Sequence, residues 1–579
     1  MTLSLKIYYL LLPALALLHS GAEAQCSNIV ITNHWQGNYQ ADFIASAPTA
    51  INGLELDWTF NLPVDGIDYW SGTVSQHDNT HFTLTDSNTN VGVGQEVKFS
   101  FQVHFSGEQP FVVMIVMNGV QICDAAITTP PPSVNPCPST GMLPYDYSQA
   151  LCMSYLFYEA QRSGLLPADQ RVTWRGDSAL TDGSDVGHDL AGGYYDAGDH
   201  VKFGFPMAFT ATMLAWGLVD FSDGHEAAGQ LEYGQTALRW ATDYFLKAHT
   251  AVNELYGQVG QGQADHNYWG RPEDMTMQRP SMKIDVNAPG TELAAETAAA
   301  LAAASMVFRE VDREYSLEML DQAQELYNFA DNYREYYHNS ITDANSFYHS
   351  WSGYGDELCW AALWLARATG DNNYLTHARS HWDEFGLGAK TVVQFSWDDK
   401  TAGAYALFSL LDSSVEYSNA LNTYLSWLKN GATYTPEGLV FLDTWGANRH
   451  AANVAFLSLW AAKHGFDEDA NRVWATQQMG QLLGDNPRYQ SFVVGFGENP
   501  PQRPHHRSSS CPNPPADCSD GWALNQPGPN PHILYGALVG GPSQNGDYAD
   551  DRNNFVQNEV ACDYNAAFTG ALAAMVELS

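Results

Sequence analysis

Two domains, an all-β sandwich followed by an all-α helical domain, are predicted by three features of the 579-residue chain. Short runs of alternating apolar and polar residues fill its first fifth, a Pro-rich stretch follows, and helical apolar periodicity then holds to the C-terminus. One ordinary core is too small for a chain of this length, so at least two folding units are the default. Apolar residues make up 45% and aromatics 13%, which excludes disorder as a global description.

Residues 1–24 read as a secretory leader. Lys6 lies in a short n-region, an apolar run covers 7–18, and Ala22-Glu23-Ala24 supplies a small-x-small cleavage site. The apolar run is too short to span a bilayer and no other segment reads as long enough, so a secreted, extracellular protein beginning near Gln25 is expected. Residues 25–124 contain runs such as Asn28-Ile-Val-Ile-Thr32, Leu54-Glu-Leu-Asp-Trp-Thr-Phe60 and Val97-Lys-Phe-Ser-Phe-Gln-Val103, separated by Gly, Asn and Asp turns. Their period of two predicts an antiparallel sandwich of about 100 residues. Residues 125–141 form the linker, around Thr128-Thr-Pro-Pro-Pro-Ser-Val-Asn-Pro136, a composition that stays extended. Over 142–579 the period is helical, clearest at 147–162, 292–308, 317–336, 357–369, 451–463, 471–483 and 565–578. About a dozen such stretches can close as six hairpins around a centre or pack as another helical array, and texture alone leaves both open.

All eight cysteines follow the leader, and an oxidising compartment makes disulfides the first expectation. Cys26 and Cys123 bracket the β domain, and Cys511 and Cys518 close a short Pro-rich loop; Cys137, Cys152, Cys359 and Cys562 stay unassigned. A net charge of −39 repels nucleic acid and anionic membranes and disfavours acidic polysaccharides. A neutral glycan is the partner this leaves, and self-repulsion favours a soluble monomer. The 17 Trp and 30 Tyr offer flat faces to sugar rings, although each one alone reads more readily as core.

Three segments carry candidate chemistry. Tyr548-Ala-Asp-Asp-Arg-Asn-Asn-Phe-Val-Gln-Asn-Glu559-Val-Ala-Cys-Asp-Tyr-Asn565 sets Asp550 and Glu559 nine positions apart among aromatic and amide side chains, ahead of an Ala-rich helix. Glycoside hydrolysis needs such a partnership, one carboxyl group protonated to serve the leaving oxygen and another ionised to activate water. In Asp189-Leu-Ala-Gly-Gly-Tyr-Tyr-Asp196-Ala-Gly-Asp199-His200, glycines at 192, 193 and 198 permit unusual backbone angles, so Asp196 and Asp199 can converge on one water; Asp/Gly-rich loops also hold calcium. In Pro504-His505-His506-Arg507, imidazole and guanidinium are donors for sugar hydroxyls. A zinc reading of the two histidines is disfavoured, because side chains at i and i+1 point apart and no Cys/His set with zinc spacing accompanies them.

The Tyr548–Asn565 stretch matches a long signature of glycoside hydrolase family nine, and the Asp196 and His505 segments resemble that family's two other motifs. The resemblance runs from Tyr145 to the C-terminus. It implies an (α/α)6 barrel acting on β-1,4-glucan with inversion, with Glu559 as general acid, Asp199 as general base, Asp196 as its helper, and Asp550 and His505 in the catalytic group. It further implies Arg507, Arg449, Trp269, Trp351 and Trp445 as substrate contacts, and Ser352, Gly353, Asp356, Glu357 and Asp399 (or Asp398) as a structural calcium site. No cofactor is implied for the chemistry. The acids at 356 and 357 also suit plain helix N-cap duty. The first domain, with its ending Asn118-Gly-Val-Gln-Ile-Cys123, resembles carbohydrate-binding module family two, whose three exposed tryptophans stack on cellulose. Trp35 and Trp70 match two of them and Ser87 stands at the third position, so weakened crystalline binding is expected; Trp58 reads as core. The combined expectation is an endoglucanase acting on cellulose and related neutral β-glucans. Competing readings are an exo-acting or glucosaminidase-like hydrolase on the same barrel and a non-catalytic cellulose-binding or matrix protein.

Overall fold

The computed structural model describes residues 26–578 except 27, 36, 107–109, 125–134, 142–144, 515, 517, 519–522 and 527. The expected leader and most of the expected linker lie outside the described residues. The chain divides into two compact units between residues 134 and 135.

The first unit is a two-sheet sandwich of nine strands: β1 (Ile29–Trp35), β2 (Asn38–Ser46), β3 (Ile51–Phe60), β4 (Gly66–Tyr69), β5 (Thr73–Gln76), β6 (His81–Val91), β7 (Glu96–His104), β8 (Val112–Met117) and β9 (Val120–Asp124). One sheet runs β1-β2-β7-β4 and the other β5-β6-β3-β8-β9, with antiparallel ladders throughout. Alternation explains the burial. Tyr39, Ala41, Phe43 and Ala45 of β2 and Leu54, Leu56, Trp58 and Phe60 of β3 point inward, and Trp58 is fully buried among Phe43, Phe60, Phe99 and Phe101. Cys26 and Cys123 are joined as expected.

The second unit contains, among its described residues, twelve helices of eleven or more residues. They are α1 (Tyr147–Gln161), α2 (Gly204–Asp220), α3 (Leu231–Ala248), α4 (Thr291–Phe308), α5 (Arg313–Asn332), α6 (Gly355–Thr369), α7 (Asn372–Glu384), α8 (Thr401–Leu411), α9 (Val415–Asn430), α10 (Ala447–Lys463), α11 (Glu468–Leu483) and α12 (Cys562–Leu578). The even-numbered helices close a ring, α2-α4-α6-α8-α10-α12 and back to α2, and each odd-numbered helix packs on a member of that ring. This is the (α/α)6 barrel. Composition sets the layer. α4 is Ala-rich, carries two glutamates and is buried on every side, whereas α5 buries one stripe (Tyr315, Met319, Ala323, Leu326, Ala330) and exposes charge on the other. α4 is also long and apolar enough to cross a membrane, which the sequence reading missed, but it is an inner helix of the barrel core.

Several helices begin earlier than their apolar period shows. α5 starts at Arg313 rather than 317, because the Asp312 carboxylate accepts the Tyr315 N–H as an N-cap. α10 starts at Ala447 rather than 451, so Arg449 lies on a helix. Four short strands, β10 (Lys202–Phe203), β11 (His249–Ala251), β12 (Glu254–Val259) and β13 (Ser281–Asp285), form a small antiparallel sheet in the loops; β10 follows the Asp196–Asp199 loop directly and ties it to β12. The Cys511–Cys518 bond is present as expected, the undecided Cys137 pairs with Cys152, and Cys359 and Cys562 are buried free thiols.

Candidate active site

Three loop segments meet to build the site. The Asp196 loop receives the Arg507 N–H at Gly198 O (3.0 Å) and the Cys562 N–H at Asp196 O (2.8 Å). The segment before α12 runs beside the third loop, with His505 bridged in parallel to Glu559 and its N–H donated to Asn558 O at 2.8 Å. Gly198 is required for contact rather than for backbone angle. Its φ is not positive, unlike those of Gly192 and Gly193, but a Cβ there would stand 2.1 Å from His505 O.

Asp199 is anchored through Oδ1 by Ala197 N–H (3.1 Å) and through Oδ2 by Val201 N–H (3.3 Å), donors that suit a carboxylate. The Tyr348 hydroxyl donates to Asp196 Oδ2 at 2.5 Å. Burial, and then the neighbouring Asp199, push the Asp196 carboxyl well above the usual range. Glu559 is raised as well, chiefly by burial. Two donors on one oxygen oppose that rise: Trp445 Nε1–H at 2.7 Å and Tyr564 O–H at 2.9 Å, both to Oε2. Glu559 Oε1 is left to carry a proton.

Other expected residues take different posts. Asp550 is not among these acids. Its oxygens accept the backbone N–H groups of Gln502 and Arg503, both at 2.9 Å, so it staples the loop that presents His505. His505 Nδ1–H donates to Arg552 O (2.7 Å), and burial pulls the ring down to about 4. The ring is therefore neutral with its Nε2 lone pair free, an acceptor for a sugar hydroxyl where the sequence reading expected a donor. Arg449 is tied by Nη1 to the fully buried Asp563 at 2.9 Å, under the Tyr564 ring, rather than held free for substrate. Trp269 is buried, gives its Nε1–H to Ser510 Oγ and supports His505 edge-on, so it offers no open stacking face. Trp351 (77% exposed) and Trp445 (44%) do offer open rings. Arg507 lies over Trp269 with Nη1 3.7 Å from Asp265 Oδ1.

Asp265, Tyr348, Asp563 and Tyr564 were missed in the sequence. Asp563 and Tyr564 lie within the Glu559 signature and were within reach, whereas Asp265, on a short helix (Gly262–His266), and Tyr348, in a loop, come from segments with no charge pattern. Asp265 is raised to about 6, by burial first and Asp199 second. Asp199, Asp265 and His266 bring one ligating atom each within 4.8 Å, so a cation is a second possible occupant of this corner.

At the expected calcium site the donors are hard oxygens in excess. Ser352 Oγ, with one proton to give, faces Asp356 Oδ1 (3.4 Å), Asp356 Oδ2 (3.5 Å) and Asp398 O. Glu357 Oε1 receives Lys400 Nζ at 2.9 Å, while its Oε2 is buried without a partner. Asp399 Oδ1 accepts Thr401 N–H at the start of α8, and Lys390 Nζ lies 3.3 Å from Oδ2; Asp398 Oδ1 instead accepts Trp351 N–H. The oxygen surplus and the orphaned Glu357 oxygen fit a hard cation.

In the β unit, Trp35 (43% exposed) ends β1 and Trp70 (61%) follows β4, the two outer strands of one sheet. Ser87, on β6 of the other sheet, lines with Trp70 a polar groove that also includes Glu55, Asp86 and Asn88.

Residues 147–572 match the family described as Glycosyl hydrolase family 9, and residues 24–123 match one described as Cellulose binding domain. Endoglucanase B of Cellulomonas fimi is 49% identical over 451 residues, which are 75% of this chain and 42% of that protein. Endoglucanase A of Bacillus pumilus is 47% identical over 451 residues, 76% of this chain and 67% of that protein. The chain thus spans less than half of the first relative. Among solved structures, the endoglucanase of the termite Nasutitermes takasagoensis at pH 2.5 is similar at TM-score 0.74 and 58% identity, over 75% of this chain and 100% of that one. The cellulase Cel9M of C. cellulolyticum with cellobiose gives TM-score 0.69 and 37% identity over 75% and 99%.

Proposed function

We propose, from the premise that the chain belongs to glycosyl hydrolase family 9, that it is a secreted endoglucanase cutting internal β-1,4-glucosidic bonds of cellulose and related neutral β-glucans with inversion. The observation that carries this reading is the contrast between acids in one site. Glu559 is raised by burial and has one oxygen free for a proton, while Asp199 accepts the backbone N–H groups of Ala197 and Val201. In the proposed step Glu559 gives its proton to the glycosidic oxygen as the bond from C1 to that oxygen breaks. A water on the opposite face forms the new bond to C1, and its proton passes to Asp199. Asp196, beside Asp199, orients that water, and Trp351 and Trp445 stack on sugar rings. Ser352, Gly353, Asp356, Glu357 and Asp399 would hold a structural calcium ion, which braces the loop under Trp351 and takes no part in the chemistry. Trp35 and Trp70 would carry adsorption to cellulose.

Glu559→Gln tests the reading. Hydrolysis of soluble β-glucan should fall about 10²–10⁴-fold with substrate binding nearly unchanged, because the acid acts in the transition state. Near-normal turnover in this variant sinks the assignment.

A further inference from the structure

A second cluster of metal-type ligands lies on two outer helices that carry none of the catalytic acids. Asp331 sits in the last turn of α5, and His377 and His381 sit one turn apart on α7, so both imidazoles lie on the same face of that helix. One ligating atom of each lies within 4.8 Å of the other two. His377 Nδ1 is 3.7 Å from Asp331 Oδ2, and His381 Nε2 is 3.6 Å from Asp331 Oδ1. A tetrahedral ion with bonds of about 2.0–2.1 Å sets its ligands roughly 3.3–3.5 Å apart; the two imidazoles face different oxygens of Asp331, so the carboxylate would bind through both or turn to present one.

We propose that Asp331, His377 and His381 form a zinc site that clamps α5 to α7, with water in the fourth position. Three observations support it. Two histidines and one carboxylate are a zinc donor set, and two histidines at i and i+4 reach one ion from one helix face. His381 is buried, and its Nδ1 has no hydrogen-bond partner but faces Glu384 Oε2 at 3.7 Å. A zinc-bound His381 Nε2 leaves that Nδ1–H to donate to Glu384, the carboxylate–histidine–metal relay that orients such ligands. Asp331 can serve despite its pairing, because Arg334 Nη2 takes Oδ1 at 2.6 Å and a carboxylate offers about four lone-pair sites. Tyr327 O–H lies 3.0 Å from His381 Nε2 and would turn to the bound water.

The test uses the full chain, stripped of transition metals and kept in calcium so that the loop under Trp351 is not perturbed. Zinc uptake by equilibrium dialysis and calorimetry is compared in wild type and His377→Ala, a half-exposed position that should not disturb folding. Wild type should bind one more zinc per chain than the variant, or bind it at least about 10–100-fold more tightly, the loss typical even of an outer partner. Zinc should raise the melting temperature of wild type more than that of His377→Ala, and cobalt should give wild type the additional visible bands of a four-coordinate site. Glu384→Gln should weaken zinc binding by about 10–100-fold. Equal stoichiometry and affinity in wild type and His377→Ala would overturn the site, and unchanged affinity in Glu384→Gln would overturn the relay.

Discussion

Tyr564→Phe should move the alkaline limb of the pH–rate profile upward. The Tyr564 hydroxyl donates to Glu559 Oε2 at 2.9 Å, and among the described residues the only other side-chain donor to that oxygen is Trp445. A hydrogen bond to a charged acceptor contributes about 1.5–3 kcal/mol, against about 0.5–1.5 kcal/mol to a neutral one. The hydroxyl therefore favours the carboxylate over the carboxylic acid by about 1 kcal/mol. Since 1.36 kcal/mol corresponds to one pH unit, removing it should shift the alkaline midpoint up by about 0.7 unit. The sign follows from the role. Glu559 acts only when protonated, so a group harder to ionise stays active to higher pH. The ring remains in place, so the plateau rate should change by less than roughly tenfold, below what an acid–base group contributes. Initial rates on a soluble β-glucan across the pH range, in both enzymes, provide the assay. A limb that stays put or moves to lower pH refutes the argument that Glu559 ionisation sets it.

Asp563→Ala should cost about 3–5 kcal/mol of stability in denaturant unfolding, because it strands the buried Arg449 guanidinium; a cost below about 1 kcal/mol would mean water reaches that pair. Asp550→Ala should lower kcat/KM far less than Glu559→Gln does, since it frees two backbone N–H groups of the His505 loop and removes no reacting group; equal losses would return Asp550 to the catalytic set. A Trp35→Ala/Trp70→Ala double variant should lose most adsorption to insoluble cellulose while keeping its rate on soluble substrate, and unchanged adsorption would move the binding face elsewhere.

The β-sandwich and the barrel were legible because their patterns are periodic. Inward Tyr39, Ala41 and Phe43 alternate with outward partners, and the Ala-rich inner helices differ in texture from the one-sided outer ones. Boundaries were less legible where side-chain caps such as Asp312 extend a helix past its apolar stripe. Asp196, Asp199 and Glu559 stood out in the sequence because they lie in short acidic segments among Gly, amide and aromatic residues. Partners were less legible where residue type fits two posts. Trp269 and Arg449 have the chemistry of substrate contacts, but packing against Ser510 and pairing with Asp563 occupy them. Asp550 reads as a member of the catalytic group, and its partners are the Gln502 and Arg503 N–H groups, contacts made across about fifty residues of chain. The zinc candidate escaped notice for the same reason, since Asp331 and His377 meet only through helix packing.

The most direct test of the account is the configuration of the first-formed product. Proton NMR of a cello-oligosaccharide digest, read before mutarotation, should show the α-anomer first, because Asp199 directs water to the face opposite the bond that Glu559 protonates. The β-anomer appearing first would contradict the assignment of Glu559 and Asp199 as an inverting acid–base pair.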